Sequence, residues 1–207
     1  MTHGRTLSKE DEEVRRKSLV KAATKLFAKQ GYHATTVDMI IAEAESSSGI
    51  FHAYFRDKED VFNAALEELG QETSHLVQAI DHSQHDVIKR LSQRLQALFI
   101  FFAQRPEHAR ILLVESSRLS VRLEKTREAI LMRQEEHLRQ TLDSAPAQLE
   151  VQNTQIAARC MVGAAFEALL RWLEENPKTR QPALEVARAV ADFSNRAVRR
   201  SPAIERH

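Results

Sequence analysis

The stretch Thr35–Phe62, TTVDMIIAEAESSSGIFHAYFRDKEDVF, limits what this chain can fold into more than any other. Apolar Val37, Ile40, Ile41 and Ala44 recur at offsets of three and four, and Ile50, Phe51, Tyr54 and Phe55 repeat the spacing after a break. Each run reads as a short helix that buries one stripe against a common core. Between them, Glu45-Ser46-Ser47-Ser48 marks a tight corner, so the pair forms a helix-turn-helix. A serine hydroxyl at the corner is placed to cap the second helix and leave its N–H groups directed outward, where a phosphate can bind. The pattern points to DNA.

Upstream, from about Asp11 to Gln30, Leu19, Ala22, Ala23, Leu26 and Phe27 share one helical face, and Gly31 stands where a left-handed C-cap residue belongs. The opposite face carries Arg15, Arg16, Lys17, Lys21, Lys25 and Lys29, with no acidic residue between Arg15 and Val37. This is a basic stripe beside the corner. The same spacing also describes an ordinary solvated helix face. Thr35 or Thr36 is expected to cap the next helix. Asp57 is expected to cap a later one through Val61, Phe62, Ala65, Leu66 and Leu69.

Composition bounds the remainder. With only 5 Gly and 5 Pro in 207 residues, the chain is expected to be mostly helical. A net charge of +1 neither demands nor excludes a nucleic-acid partner. The single cysteine, Cys160, excludes an intrachain disulfide and a cysteine-based structural zinc site, and it fits a reducing compartment. The polar N-terminus lacks the apolar run of a secretory signal, and no segment approaches the roughly 18 uncharged apolar residues of a membrane span. A soluble, cytoplasmic protein without a membrane partner is expected, its charged first dozen residues a frayed arm within reach of DNA.

Helical spacing continues over 61–81, 86–103, 107–117, 119–143, 149–175 and 182–200, punctuated by Pro106, Pro146, Pro177 and Pro182. With the head this makes about nine helices, an all-α chain. Within Ile156–Trp172, Ala157, Ala158, Gly163, Ala164, Ala165 and Ala168 alternate with larger apolar residues. Such a surface suits close helix approach, either as a self-association face or as the monomer's central core helix.

An enzyme finds little support. Glu72 and His75 form one Glu-x-x-His pair, whereas a di-iron bundle needs a second pair and two further glutamates. The segment Asp81–Asp86 gathers His82, His85 and two aspartates, but at a helix junction it reads as a polar loop. There is no phosphate loop, G-x-S-x-G or HExxH. No cofactor, metal or catalytic residue is expected.

From Arg15 to Leu66 the sequence resembles the N-terminal domain of the TetR/AcrR family of bacterial transcriptional regulators. The resemblance rests on LFAKQGYHATTV (Leu26 to Val37), IIAEA (Ile40 to Ala44), Ser47, Gly49, Tyr54, Phe55, Lys58 and Glu59. It implies a three-helix helix-turn-helix domain over 1–57 and a helical effector-binding and dimerisation domain over 58–207. It also implies DNA contacts at Thr36, Ser47, Ser48, Gly49, Ile50, His52, Tyr54 and Lys58. In that role Thr36, Ser47, Tyr54 and Lys58 hold phosphates, while Ser48, Gly49 and Ile50 face base edges. Phe51 and Phe55 belong to the head's core. This chain departs from the family pattern at three positions: Glu45 stands at a corner that is commonly glycine, Ser46 replaces an apolar residue, and His52 replaces a tyrosine.

The resemblance further implies a homodimer through the last two long helices, on double-stranded operator DNA that is palindromic by two-fold symmetry. A body of this kind encloses a small-molecule pocket, for which Phe99, Phe102, Leu112, Glu115, Leu131, Met161, Phe166 and Glu167 are the candidates, with a hydrophobic or amphipathic effector. The expected function is a ligand-released repressor. The competing expectation is a helical ligand-binding or oligomerising protein whose DNA-binding head is weakened, motivated by Glu43 and Glu45 at the corner.

Overall fold

The computed structural model describes residues 9–83, 86–117 and 119–199. Among them are nine α-helices: α1 (Lys9–Gln30), α2 (Val37–Glu43), α3 (Ser48–Tyr54), α4 (Lys58–Ser83), α5 (Val87–Ala103), α6 (Pro106–Arg110), α7 (Val121–Asp143), α8 (Thr154–Glu174) and α9 (Ala183–Val198). A π-helical turn, Ile111–Glu115, follows α6. The fold is all-α, as the sequence predicts. No described helix is long and apolar enough to cross a membrane.

The chain divides into two compact units, Met1–Leu69 with Arg110–Arg127 and Gly70–Ala109 with Glu128–His207. In the first, α1 buries Leu19, Ala23 and Phe27, α2 Ile40, α3 Phe51 and its C-cap Phe55, and α4 Val61, Phe62 and Leu66. The segment 110–127 adds Ile111, Leu112 and Leu123 to the buried set. Polar bonds fasten it: Thr126 Oγ1 donates to Asn63 Oδ1 at 2.7 Å and Ser120 Oγ to Glu59 Oε1 at 3.0 Å. Asp60 accepts hydrogen bonds from Arg56 and from Arg122, and these, Arg56 foremost, hold its carboxyl far below the usual carboxylate range.

In the second unit, Leu91 and Leu95 of α5, Ala158, Met161 and Val162 of α8 and Ala191 of α9 form one core. Arg94, almost fully buried, donates to the His137 carbonyl and to Thr141 Oγ1 on α7. Helix α8 answers the question its small residues raise. One face (Ala158, Met161, Ala165, Leu169, Trp172) is core, while Ile156, Cys160, Gly163 and Glu167 are exposed on the other.

Two expected helices are shorter or broken. The segment 107–117 is not one α-helix, because at Ile111 the pattern changes to i→i+5 bonding, seen where Ser116 N–H donates to Ile111 O at 3.0 Å. The helix expected over 149–175 begins only at Thr154. Asn153 caps it through Ile156 N–H, and Leu149 instead bridges Arg199. Of the polar cluster 81–86, only the Asp86 side chain lies within the described residues, and it caps α5 through Lys89 N–H. Of the arm expected over the first dozen residues, 1–8 lie outside the described residues, whereas 9–12 are not a frayed arm but the first turn of α1.

Candidate nucleic-acid interface

The head is assembled by capping. Gly31 takes φ +84°, and its N–H donates to Phe27 O at 2.9 Å, which ends α1 where the sequence places the stop. Thr36 is the N-cap of α2, its hydroxyl accepting from Met39 N–H at 3.2 Å. Ser47 caps α3 in the same way through Ile50 N–H at 3.3 Å. An accepting hydroxyl still has its own proton to donate, so both caps retain a donor suited to a phosphate.

Behind the caps, Phe51 of α3 and its C-cap Phe55 lie in the core, with ring centroids 5.7 Å apart. This leaves Ser48, Gly49 and His52 exposed on the outer face of α3, with Ile50 and Tyr54 half-buried at its edges. A Cβ built on Gly49 meets nothing within 4 Å. Packing within the protein therefore does not explain a glycine there.

The corner between the helices is irregular, as its residues predict. Glu45 adopts φ +50°, a left-handed conformation that disfavours any residue with a Cβ. Replacing it with glycine removes that strain and a carboxylate from the corner. Glu45→Gly should raise the melting temperature by about 2–4 °C, the equivalent of ~1 kcal/mol in a chain of this size. Affinity for any DNA duplex should rise with it. An unchanged melting curve would show that the corner stores no strain.

The basic stripe of α1 is less free than its sequence implies. Lys25 Nζ lies 2.6 Å from Glu43 Oε1, Arg16 Nη1 2.7 Å from Glu68 Oε1, and Lys17 Nζ 2.7 Å from Glu13 Oε1. Arg16 also lies over the Phe55 ring. Lys21 and Lys29 are exposed. The pairing of Lys25 with Glu43 offsets the negative charge beside the corner.

Lys58 is engaged within the head. Its Nζ donates to Tyr32 O at 2.7 Å and Thr35 O at 2.8 Å and lies 4.3 Å from the centroid of the Tyr32 ring. Burial lowers its pKa. Two of the three ammonium protons thus hold the turn between α1 and α2, and one remains for a phosphate.

The eight residues put forward for a ligand pocket are divided between the two units. Leu112 and Glu115 belong to the unit that contains the helix-turn-helix, and Glu115 accepts a hydrogen bond from Tyr32 N–H at 3.1 Å. Glu167 is exposed and pairs with Arg171 at 2.8 Å. Phe99, Phe102, Met161 and Phe166 belong to the second unit, where the space bounded by Phe99, Phe166 and five aliphatic residues is about 10 Å³, at most one water. Leu131 is half-buried on α7.

Larger spaces occur elsewhere in that unit. A groove of about 810 Å³ has Leu76, Ala97, Ile100 and Phe101 along its apolar side and Glu72, His75, Gln104, Arg105 and His108 around it. Another, of about 410 Å³, includes Ile156, Cys160, Met161 and Phe193. Residue composition did not distinguish aromatic residues that fill a core from those that line a groove. No group of three or more His, Cys, Asp or Glu is placed to hold a metal among the described residues.

Capped α2, a left-handed corner and an outward-facing α3 define a helix-turn-helix. Residues 19–65 match the model for bacterial regulatory proteins of the tetR family. In this head the chain is similar to the bacterial regulatory proteins of the tetR family. The transcriptional regulator HbdR of Aromatoleum sp. (strain CIB) is 38% identical over 74 residues, 34% of this chain and 32% of that protein. The chain thus spans about a third of the length of this relative. Two solved structures share the fold. A tetR-family regulatory protein from Rhodococcus RHA1 aligns with a TM-score of 0.78 at 20% identity, covering 95% of this chain and 100% of that one. FadR from Bacillus subtilis, in complex with stearoyl-CoA, aligns with a TM-score of 0.77 at 19% identity, covering 86% and 96%.

Proposed function

We propose that this protein is a DNA-binding transcriptional regulator, a cytoplasmic repressor that binds a palindromic operator as a homodimer and leaves it when an amphipathic ligand occupies its body. The observation that carries this reading is the outer face of α3. Ser48, Gly49 and His52 are exposed there, and Gly49 is not required by packing within the protein. In this role Ser48, Gly49 and Ile50 meet base edges, while Thr36, Ser47, Tyr54 and the remaining Lys58 proton hold phosphates; His52 adds an imidazole contact.

Dimerisation is supported by the outer faces of α8 and α9, where Ile156 and Phe193 are 57% and 66% exposed beside Cys160 and the open Gly163. For the ligand, the 810 Å³ groove is large enough for a drug-sized molecule and joins an apolar side to charged groups. The stearoyl-CoA held by FadR of Bacillus subtilis is amphipathic in the same sense. A ligand there releases DNA only if it favours one conformation of the dimer over the other.

Selecting genomic DNA fragments with the purified protein tests the reading. The expected product is an enriched palindrome whose half-sites lie about 34–36 Å apart, in successive major grooves. Fragments without a shared palindrome overturn it. Repeated with Ser48→Ala, the selection should return an altered half-site. Affinity for the wild-type operator should fall by about 1–3 kcal/mol, and affinity for random duplex should not change.

A further inference from the structure

The turn between α1 and α2 sets how α2, and through it α3, is presented. Residues 31–35 hold it by a small set of bonds. Thr35, fully buried, donates through Oγ1 to Gly31 O at 2.8 Å. Lys58 takes the carbonyls of Tyr32 and Thr35. The Tyr32 N–H remains. Its acceptor comes from 83 residues further along the chain: Glu115 Oε2, at 3.1 Å.

Several features show that this contact is built into the unit. Glu115 is the last residue of the π-helical turn Ile111–Glu115, and such local departures from α-helical bonding re-aim side chains. The Glu115 side chain is 14% exposed, and its other oxygen accepts from Arg110 Nε at 3.3 Å. A Cβ at Gly31 would lie 3.3 Å from Glu115 Oε2, so the carboxylate sits where a larger residue would crowd it. A carboxylate on a backbone N–H is among the stronger hydrogen bonds available to a turn.

We propose that Glu115 is a positioning residue for DNA reading. Without touching DNA, it fixes the Gly31–Thr35 turn and thereby the angle at which α2 and α3 meet the major groove. The proposal rests on the reading of α3 as the element that faces bases. It assigns to Glu115 a role in the head in place of ligand contact.

The test uses the full chain as wild type, Glu115→Ala and Glu115→Gln. Each is measured for amide hydrogen exchange and for binding to the selected operator and to a random duplex across a salt series. In Glu115→Ala, exchange at Tyr32 should speed up while the amides of Phe62 and Leu66 keep their protection. Operator affinity should fall on the order of tenfold. Random-duplex affinity should stay within about twofold and the salt dependence should keep its slope, because no phosphate contact is lost. Glu115→Gln keeps an acceptor for Tyr32 N–H and should recover most of the operator affinity, which also covers the case in which the alanine variant fails to fold.

Operator binding that survives a freely exchanging Tyr32 amide overturns the proposal and leaves the regulator reading intact. Equal loss on both duplexes with a changed salt slope also overturns it, since Glu115 would then act through its charge on DNA. If the wild-type protein selects no operator, the regulator reading fails and takes this proposal with it.

Discussion

Phe27→Ala is expected to destabilise the helix-turn-helix unit by about 3–5 kcal/mol, the usual cost of removing a fully buried aromatic ring. Phe27 has no exposed surface, and its ring lies 4.8 Å from that of Phe62 and 5.6 Å from that of Tyr32. It therefore joins α1, the following turn and α4 at one point. Whole domains are stable by only about 5–15 kcal/mol, so the loss removes a large share of what holds the head together. Denaturant unfolding should show an earlier transition, and operator binding should be lost at temperatures where the wild type still binds. A loss below about 1 kcal/mol would mean that the neighbouring rings close the cavity.

Lys58→Met should produce the second largest effect. Methionine keeps much of the apolar stem but offers no proton to Tyr32 O or Thr35 O, which Lys58 holds at 2.7 and 2.8 Å. A hydrogen bond from a charged donor contributes about 1.5–3 kcal/mol, and water can replace part of it at this half-buried site, so a net loss of about 2 kcal/mol is expected. DNA affinity should fall on random duplex through the proposed phosphate contact, and further on the operator, because Lys58 also holds the turn that Glu115 is proposed to fix. Thermal unfolding separates its two roles. A variant as stable as the wild type that still binds DNA weakly would assign Lys58 to phosphate alone.

Much of the head was legible because its signals are local. The stop at Gly31, the caps at Thr36 and Ser47, and Asp57 accepting from Asp60 N–H at 2.8 Å each depend on residues at most four apart. The left-handed Glu45 belongs with them, since the corner demands the conformation whatever residue stands there. The basic stripe was legible as composition but not as free charge. The partners of Lys25 and Arg16, at Glu43 and Glu68, are 18 and 52 residues away and come from other helices. The body yielded its helices and little of its chemistry. Aromatic and methionine residues carry the same hydrophobic signal whether they fill space or surround it, and here Phe99 and Phe166 bound about 10 Å³ while Phe101 lies on a groove of about 810 Å³.

By itself the sequence determined that this chain is helical, where α1 ends and α2 and α3 begin, and that Phe51 and Phe55 turn inward. These follow from the periodicity of a helix and from capping groups a few residues away. Only the tertiary structure decided what Glu115 and Lys58 hold. Their partners are the backbone groups of a turn, which every residue type carries alike, so nothing in the side-chain pattern marks them until the chain has folded back upon itself.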